Sequence, residues 1–231
     1  MIEQDVERVC NLINTRTQVG GRTIVAIAGP PASGKSTLAK AVVEALNFQQ
    51  QSATPCATLV PMDGYHLDNT VLEARGLLAK KGAPETFDAF GFCNAVKNLH
   101  VARHESFFPK FDRQRDLAIA NAIPVHPDTP VVVAEGNYLL MQSDPWSTLA
   151  DIFAVTVFVN PTLDELKTRL QQRWINHGLD PAAALQRALG NDLPNAERVL
   201  KNSRTADLTL NQSYTDIGAS NTLPAHTPKR T

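Results

Sequence analysis

Apolar residues along the chain follow two spacings, which predict helices and strands in alternation. Residues 2–17 repeat apolar positions at helical intervals and predict an amphipathic helix. Short β-branched or apolar runs at Thr23–Ala28, 57–62, 131–134 and 153–159 are typical of buried strands. Because helical patterns separate these runs, we expect an α/β fold with a mostly parallel sheet and helices on both faces.

The long segment from 63 to 130 does not show this alternation. It contains a helical pattern near 92–102 and an aromatic, proline-punctuated stretch at 107–112. Long connections without a regular pattern are uncommon in compact domains and often serve function. We therefore expect an insertion at about 64–130 that covers an active site.

Helix signals return in the C-terminal third of the chain. A helix is expected to start after Thr162, where proline precedes an acidic first turn, and to end at Gly178. It would form part of a lid at about 165–190, within a single domain at 1–211. The stretch 212–231 is rich in Pro, Thr, Ser and Asn, which predicts a weakly ordered tail.

The most specific chemical signal is a G-x-x-x-x-G-K-S sequence between the first strand and the next helical pattern. Strand, glycine-rich loop and helix are the setting in which such a loop binds phosphate. Glycine lets backbone N–H groups converge on phosphate oxygens, and the helix N-terminus adds partial positive charge. Lys35 would reach the β- and γ-phosphates, and Ser36 would hold Mg²⁺. The predicted nucleotide-binding residues are Gly29, Pro30, Pro31, Ala32, Ser33, Gly34, Lys35, Ser36 and Thr37.

Acidic residues follow two of the predicted strands. Ligands of open α/β sheets bind beyond the carboxyl ends of the strands, where these residues would lie. Asp63, beside Gly64, would take the proton of a substrate hydroxyl or position Mg²⁺. Glu135 follows four apolar positions, where P-loop proteins carry an acidic group that supports Mg²⁺ and orients the nucleophile. Both residues are therefore candidates for the catalytic centre.

Arg169 and Arg173 lie four residues apart in the predicted lid helix and so share one helical face. Phosphoryl transfer needs cations that close over the developing charge, which makes both arginines catalytic candidates. The alternative is a solvated basic face that also includes Lys167.

Four motifs occur along the chain in a recognisable order: Gly-Pro-Pro-Ala-Ser-Gly-Lys-Ser at 29–36, Met-Asp-Gly-Tyr-His at 62–66, Lys-Phe-Asp-Arg at 110–113 and Glu-Gly-Asn-Tyr at 135–138. Together they resemble the P-loop kinase family that includes uridine kinase, phosphoribulokinase and bacterial type pantothenate kinase. The segments 62–68, 75–77 and 81–88 are similar to bacterial proteins described as fructose transport system kinases. The resemblance covers roughly residues 20–210.

The resemblance implies a P-loop NTPase fold, ATP and Mg²⁺ as cofactors, and Asp63 as the catalytic base. Phe111 stands where the family carries a tyrosine, so no polar role is expected of that ring. A small polyol needs several fixed donors and acceptors, which polar side chains near the base could supply. The candidate substrate-binding residues are Tyr65, His66, Asp68, Arg113, Glu135 and Tyr138.

Composition narrows the class of partner. The net charge of −1 gives no basic field for nucleic acid or an anionic membrane surface. Three dispersed cysteines fit reduced thiols, and no histidine spacing suggests zinc. The acidic N-terminus is unlike a signal peptide, and no apolar run is long enough to span a membrane. We expect a soluble, cytoplasmic protein that acts on a small-molecule hydroxyl; the sequence leaves its oligomeric state open.

The leading interpretation is an ATP-dependent kinase whose acceptor is a sugar, a nucleoside or a pantothenate-like metabolite, with a fructose-transport-linked sugar kinase favoured by the resemblance. The alternative is a nucleotide-binding regulatory or switch protein of a transport system. The N-K-x-D motif of switch GTPases and the L-S-G-G-Q motif of ABC-type ATPases do not occur in the sequence. A base such as Asp63 has no chemical purpose in a protein that only binds nucleotide.

Overall fold

The computed structural model describes residues 2–17, 21–49 and 54–211. Five strands form the central sheet: β1 (Thr23–Ala28), β2 (Ala57–Pro61), β5 (Val131–Gly136), β6 (Val155–Val159) and β7 (Leu208–Leu210). Their order is β2-β5-β1-β6-β7, and every neighbouring pair is parallel. Two more strands, β3 (Ser106–Asp112) and β4 (Leu117–Val125), pair antiparallel in a separate hairpin. The tail predicted at 212–231 lies outside the described residues.

Helices cover both faces of the sheet. They are α1 (Ile2–Arg16), α2 (Lys35–Gln49), α3 (Asn69–Ala74), α4 (Ala89–Asn98), α5 (Leu163–Asn176), α6 (Pro181–Arg187) and α7 (Leu193–Asn202). Side chains alternate across a strand, so Ile24 of β1 packs in one core with Phe92 of α4. Val25 packs in the other core with Ile13 of α1 and Leu38 of α2. Each of these side chains is fully buried, which stabilises the fold by about 1.5–3 kcal/mol per large side chain.

This arrangement confirms the predicted α/β fold with a parallel sheet and helices on both faces. The β3–β4 hairpin was not predicted, although residues 107–112 were identified as an aromatic stretch. The sequence of β4 has no charged residue and no clear alternation of apolar and polar residues, because most of the strand is exposed on both faces. Within the part of the chain that the structure describes, no helix is long and apolar enough to cross a bilayer.

The insertion is held against the sheet at a few close contacts. Gly64, in a short helical turn at Met62–Tyr65, lies against the backbone of Pro109 in β3, and a Cβ there would collide with the Pro109 carbonyl. On the other side, Arg22 donates to the carbonyl oxygens of Leu99, His126, Pro127 and Thr129. These contacts fix where the hairpin stands relative to the strand ends.

Helix α5 begins where the sequence predicted a helix. Thr162 caps α5 in a reciprocal capping box with Glu165, and the helix ends two residues before Gly178, whose φ is +91°. A π-helical turn at Ala188–Asp192 joins α6 to α7. This region also contacts the insertion, because Arg187 donates to the Ala79 carbonyl.

Candidate active site

The phosphate-binding loop joins the buried centre of the sheet to a helix N-terminus. β1 ends at Ala28 with all six of its residues buried, and α2 begins at Lys35. Gly29 allows a close approach, since a Cβ there would lie 2.5 Å from the Val159 carbonyl oxygen. Gly34 has a φ of +88°, which favours glycine. The loop therefore presents its backbone to the cavity described below.

Lys35, Ser36 and Glu135 meet at this loop. Glu135 lies in β5 directly beside Ile27 of β1, which brings its carboxylate under the start of α2. Ser36 Oγ donates to Glu135 Oε1 at 3.1 Å, and Lys35 Nζ lies 3.6 Å from the same oxygen. Burial raises the pKa of the Glu135 carboxyl and the charge of Asp63 adds to this, against the opposing effects of Lys35 and Ser36. Two oxygen donors side by side fit the ligand preference of Mg²⁺.

Asp63 follows the end of β2 in the turn at Met62–Tyr65. Its Oδ2 accepts from Arg113 Nη2 at 2.5 Å, an ion pair between the strand end and the hairpin. Burial alone would raise the pKa of Asp63, but Arg113, followed by His66, Lys35 and Arg173, outweighs it and lowers that pKa. Asp63 is therefore an ionised carboxylate at neutral pH.

Arg169 and Arg173 of α5 line the same cavity. Burial and the nearby charge of Arg113 lower the pKa of Arg173, while Asp192 and Asp63 oppose this. Trp174, the next residue, donates from Nε1 to Asp192 Oδ2 at 2.5 Å, which ties α5 to the π-helical turn. This contact fixes the face of α5 that carries the arginines.

Most of these groups line one cavity of about 990 Å³, and Glu135 does not line it but contacts Ser36 and Lys35, which do. Many residues that the sequence predicted for the site line it: Pro31, Ala32, Gly34, Lys35, Ser36, Thr37, Asp63, His66, Arg113, Arg169 and Arg173. Three further residues of the loop are buried and do not line the cavity: Gly29, Pro30 and Ser33. The structure thus brings together residues separated by up to 142 positions, from Pro31 to Arg173.

Besides Glu135, which contacts Ser36 and Lys35, three predicted substrate-binding residues contact protein groups instead of lining the cavity. Tyr65 packs edge-on against Phe92 at 5.2 Å between ring centroids, and burial raises its pKa to about 12. Asp68 caps α3 by accepting from the Thr70 N–H at 2.9 Å. Tyr138 is fully buried, and its hydroxyl donates to the Gly82 carbonyl at 2.5 Å. Their positions favour structural roles, since hydrogen bonds or ring contacts within the protein engage each of them.

Several cavity-lining residues were not predicted: Asn69, Lys81, Phe87, Asp116, Asn137 and Trp174. Lys81 and Phe87 belong to the segment 81–88, which resembles fructose transport system kinases but carries no motif that predicts a role for either residue. Asp116 lies in a turn of the unpredicted hairpin, so no local signal marked it. Trp174 lies at an apolar position of α5, which by itself predicts packing and not a place in a site.

The sheet order, the phosphate-binding loop after β1, and the acidic residues at the ends of β2 and β5 define a P-loop protein of the kinase class. No protein-family model matches the chain. A crystal structure of a candidate fructose transport system kinase from Silicibacter sp. is 44% identical, with a TM-score of 0.82 over 89% of this chain and 98% of that one.

Two sequence relatives agree with this class. The uncharacterized protein YggC of Escherichia coli is 38% identical over 190 residues, which is 82% of this chain and 77% of that protein. A candidate uridine kinase of Schizosaccharomyces pombe is 30% identical over 201 residues, 83% of each chain. The chain therefore belongs to the P-loop kinases related to uridine kinase and pantothenate kinase.

Proposed function

We propose that this protein transfers the γ-phosphoryl group of ATP to a hydroxyl group of a small metabolite. The observation that carries the proposal is the position of an ionised carboxylate, Asp63, in the same cavity as the phosphate-binding loop and the lid arginines. A protein that only binds nucleotide does not need a base at that position. Membership of the P-loop kinases supports the same activity.

In the proposed reaction, the acceptor hydroxyl gives its proton to Asp63 while its oxygen bonds to the γ-phosphorus. The bond from that phosphorus to the bridging oxygen breaks, and ADP leaves. Arg113 engages Oδ2 of Asp63, which leaves Oδ1 to accept the proton. Lys35 and the loop N–H groups hold the phosphates, and Arg169 and Arg173 neutralise charge on the transferred group.

Ser36 and Glu135 would hold Mg²⁺ in this scheme. Their oxygen atoms are hard donors of the kind that Mg²⁺ prefers, and their mutual hydrogen bond arranges both before nucleotide binds. The ion would supply positive charge at the phosphates. Lys35, which is 8% exposed, adds a fixed charge beside the same carboxylate.

The acceptor that we favour is a sugar. The support is the candidate fructose transport system kinase to which the chain is similar. Nucleosides and pantothenate-like metabolites are the competing acceptors, since relatives named uridine kinase and pantothenate kinase also match. We place the reaction among the ATP-dependent phosphotransferases with an alcohol group as acceptor.

The test is a coupled assay of ADP release with a panel of sugars, nucleosides and pantothenate. ADP release that depends on one of these acceptors supports the kinase. Release at the same rate with and without every acceptor, or none at all, would contradict it and favour a switch or regulatory protein.

Two variants locate the base. Asp63→Asn keeps the size of the side chain but removes the proton-accepting charge. It should lower acceptor phosphorylation by about 10²–10⁴-fold while calorimetric ATP·Mg²⁺ binding stays within a few-fold, the usual consequence of losing a general base. Glu135→Gln should instead raise the Mg²⁺ concentration needed for activity. Full activity in Asp63→Asn, with Glu135→Gln inactive at every Mg²⁺ concentration, would show that the two roles are exchanged.

A further inference from the structure

The cavity contains a second polar group that the phosphate chemistry does not use. It consists of Asn69 at the start of α3, Lys81 after a short helical turn, and Asp116 in the turn between β3 and β4, here called the polar tripod. All three residues line the cavity together with Asp63 and His66. Their place beside the proposed base makes them candidates for acceptor recognition.

Hydrogen bonds hold the polar tripod together. Lys81 Nζ donates to Asn69 Oδ1 at 2.6 Å and to the Asp116 carbonyl at 3.0 Å, and it lies 2.9 Å from Asp116 Oδ1. Asn69 Nδ2 donates to Asp116 Oδ2 at 2.9 Å. The Lys81 side chain is only 12% exposed, so its three N–H donors are directed within the polar tripod. What it offers a ligand is the Asp116 carboxylate, on a side chain that is 52% exposed.

Charges at this part of the cavity cancel in pairs. Lys81 is paired with Asp116, and Arg113 is paired with Asp63. Of the other arginines that line the cavity, Arg169 and Arg173 are assigned to the transferred phosphoryl group, and Arg187 donates to the Ala79 carbonyl. An acceptor with a phosphate or a carboxylate beside the polar tripod would therefore have to take Lys81 or Arg113 from its partner, which leaves a carboxylate uncompensated. An uncharged acceptor leaves both pairs intact.

The aromatic side chains here already pack against one another at tilted angles, 44° between His66 and Phe87 and 34° between His66 and Phe111. The His66 ring lies 4.0 Å from the Phe87 ring and 4.6 Å from the Phe111 ring, and Lys81 Nζ lies 5.2 Å from the centre of Phe111. A planar base would need to enter between rings that contact each other directly. This tilted ring cluster therefore disfavours a nucleoside.

The groups that remain for a ligand mainly accept hydrogen bonds. His66 Nδ1 lies 2.9 Å from the Asp63 carbonyl oxygen, which can only accept, so Nδ1 carries the proton. Burial lowers the pKa of His66, which leaves Nε2 of the neutral ring as an acceptor. Lys81 and Asn69 overcome the effect of burial and lower the pKa of Asp116, so its carboxylate also only accepts. Such a lining suits a ligand with several hydroxyl donors.

We propose that the polar tripod and His66 form a subsite for an uncharged polyol, with Asp116 accepting a hydrogen bond from one of its hydroxyl groups. This inference rests on the proposed kinase function and names the class of acceptor. It selects a free sugar or sugar alcohol against a nucleoside, a sugar phosphate and pantothenate.

Binding is measured by calorimetry on the full chain with Mg²⁺ and a non-hydrolysable ATP analogue. The probes are fructose, glucitol, fructose 6-phosphate, uridine and pantothenate. We expect saturable binding of fructose or glucitol, and Asp116→Asn should weaken it about 10–100-fold, as expected for a lost hydrogen bond to a charged group. Asn tolerates the φ of +55° at this position, so the backbone should be kept.

The matched control is Asp112→Asn. Asp112 also lies in the hairpin and accepts from backbone N–H groups of its turn, but it does not line the cavity. It should leave polyol binding unchanged, and thermal unfolding should show both variants folded. Equal losses in the two variants, or none in Asp116→Asn, would overturn the role of Asp116.

Binding of only uridine, pantothenate or the sugar phosphate, or of no probe, would overturn the polyol subsite. ADP release is measured in parallel with each probe. A polyol that binds without being phosphorylated contradicts the kinase function alone. Phosphorylation of uridine or pantothenate, with no polyol bound, supports the kinase function and contradicts the subsite.

Discussion

The phosphate-binding loop and the β3–β4 hairpin both reach the cavity, but their support differs. The loop continues from β1, a central strand with every residue buried, and its Lys35 is 8% exposed. The hairpin is a separate pair of strands, and most of β4 is exposed. Isolated two-stranded hairpins are marginally stable, so this one depends on its contacts with the sheet.

Because of this difference, the residues proposed for phosphoryl transfer and those proposed for acceptor selection have different structural support. The groups proposed to hold the ATP phosphates and Mg²⁺, Lys35, Ser36 and Glu135, stand on a buried strand and a helix start, where small sequence changes are costly. The groups assigned to the acceptor stand on short turns and on the hairpin, and they depend on a few contacts such as Gly64 with Pro109. The acceptor end of the cavity can therefore change while the nucleotide end is kept.

Lys35→Ala should have the largest effect on activity, because it alters the phosphate-binding loop, which continues from the buried strand β1. It removes the cation at the β- and γ-phosphates, a loss of about 3–4 kcal/mol by analogy with other single electrostatic donors, or about 10²–10³-fold in kcat. The thermal unfolding midpoint should change little, since the amine faces the cavity. Lys40→Ala, also on α2 at the cavity wall, is the control. Unchanged turnover at saturating ATP would contradict the phosphate-binding assignment.

Arg173→Ala should come next. If α5 brings Arg173 to the phosphoryl group only in the transition state, kcat should fall by about 10–100-fold while ATP affinity changes much less. Arg169→Ala should behave in the same way. Lys167→Ala is the matched control, since Lys167 is exposed on the same helix and does not line the cavity. Equal losses of kcat and ATP affinity would indicate ground-state binding only.

Gly64→Ala disrupts the contact with Pro109 that supports the hairpin. Its Cβ would collide with the Pro109 carbonyl, so the hairpin must shift, at a cost of about 1–3 kcal/mol in the free energy of unfolding. The KM for the acceptor should rise while ATP binding is kept. In Gly190→Ala, the added Cβ meets no atom within 4 Å, so both quantities should stay close to wild type. Loss of ATP binding in Gly64→Ala would show that the two ends are not independent.

Arg113→Gln should give the smallest effect, a shift of the pH profile. Arg113 provides the strongest of the charges that lower the pKa of Asp63, so its removal should raise that pKa. The acidic limb of the kcat/KM profile should then move to higher pH. The stability that the pair contributes is present above the ordinary pKa of aspartate and is lost as pH falls through the lowered value. An unmoved acidic limb would show that the base is another group.

Local patterns explain why the nucleotide end could be predicted from the sequence and the acceptor end only in part. The motif at 29–36 fixes strand, loop and helix within a short stretch, and β-branched runs predicted the strands that end near Asp63 and Glu135. The hairpin was missed because β4 is exposed on both sides and lacks clear alternation. Tyr138 was assigned to the substrate from its position after a strand, whereas packing places its hydroxyl against Gly82. The Lys81–Asp116 pair joins positions far apart, which no local pattern could indicate.

The lid and the acceptor segment share hydrogen bonds, since Arg187 donates to the Ala79 carbonyl and Asn191 donates to the Lys81 carbonyl. If the predicted lid moves, these bonds would couple its movement to the segment that carries Lys81. A lid that closes fully only against a well-placed acceptor segment keeps water from ATP until a hydroxyl is ready to replace it. Under the proposed function, this arrangement would keep the rate of ATP hydrolysis low when the acceptor is scarce.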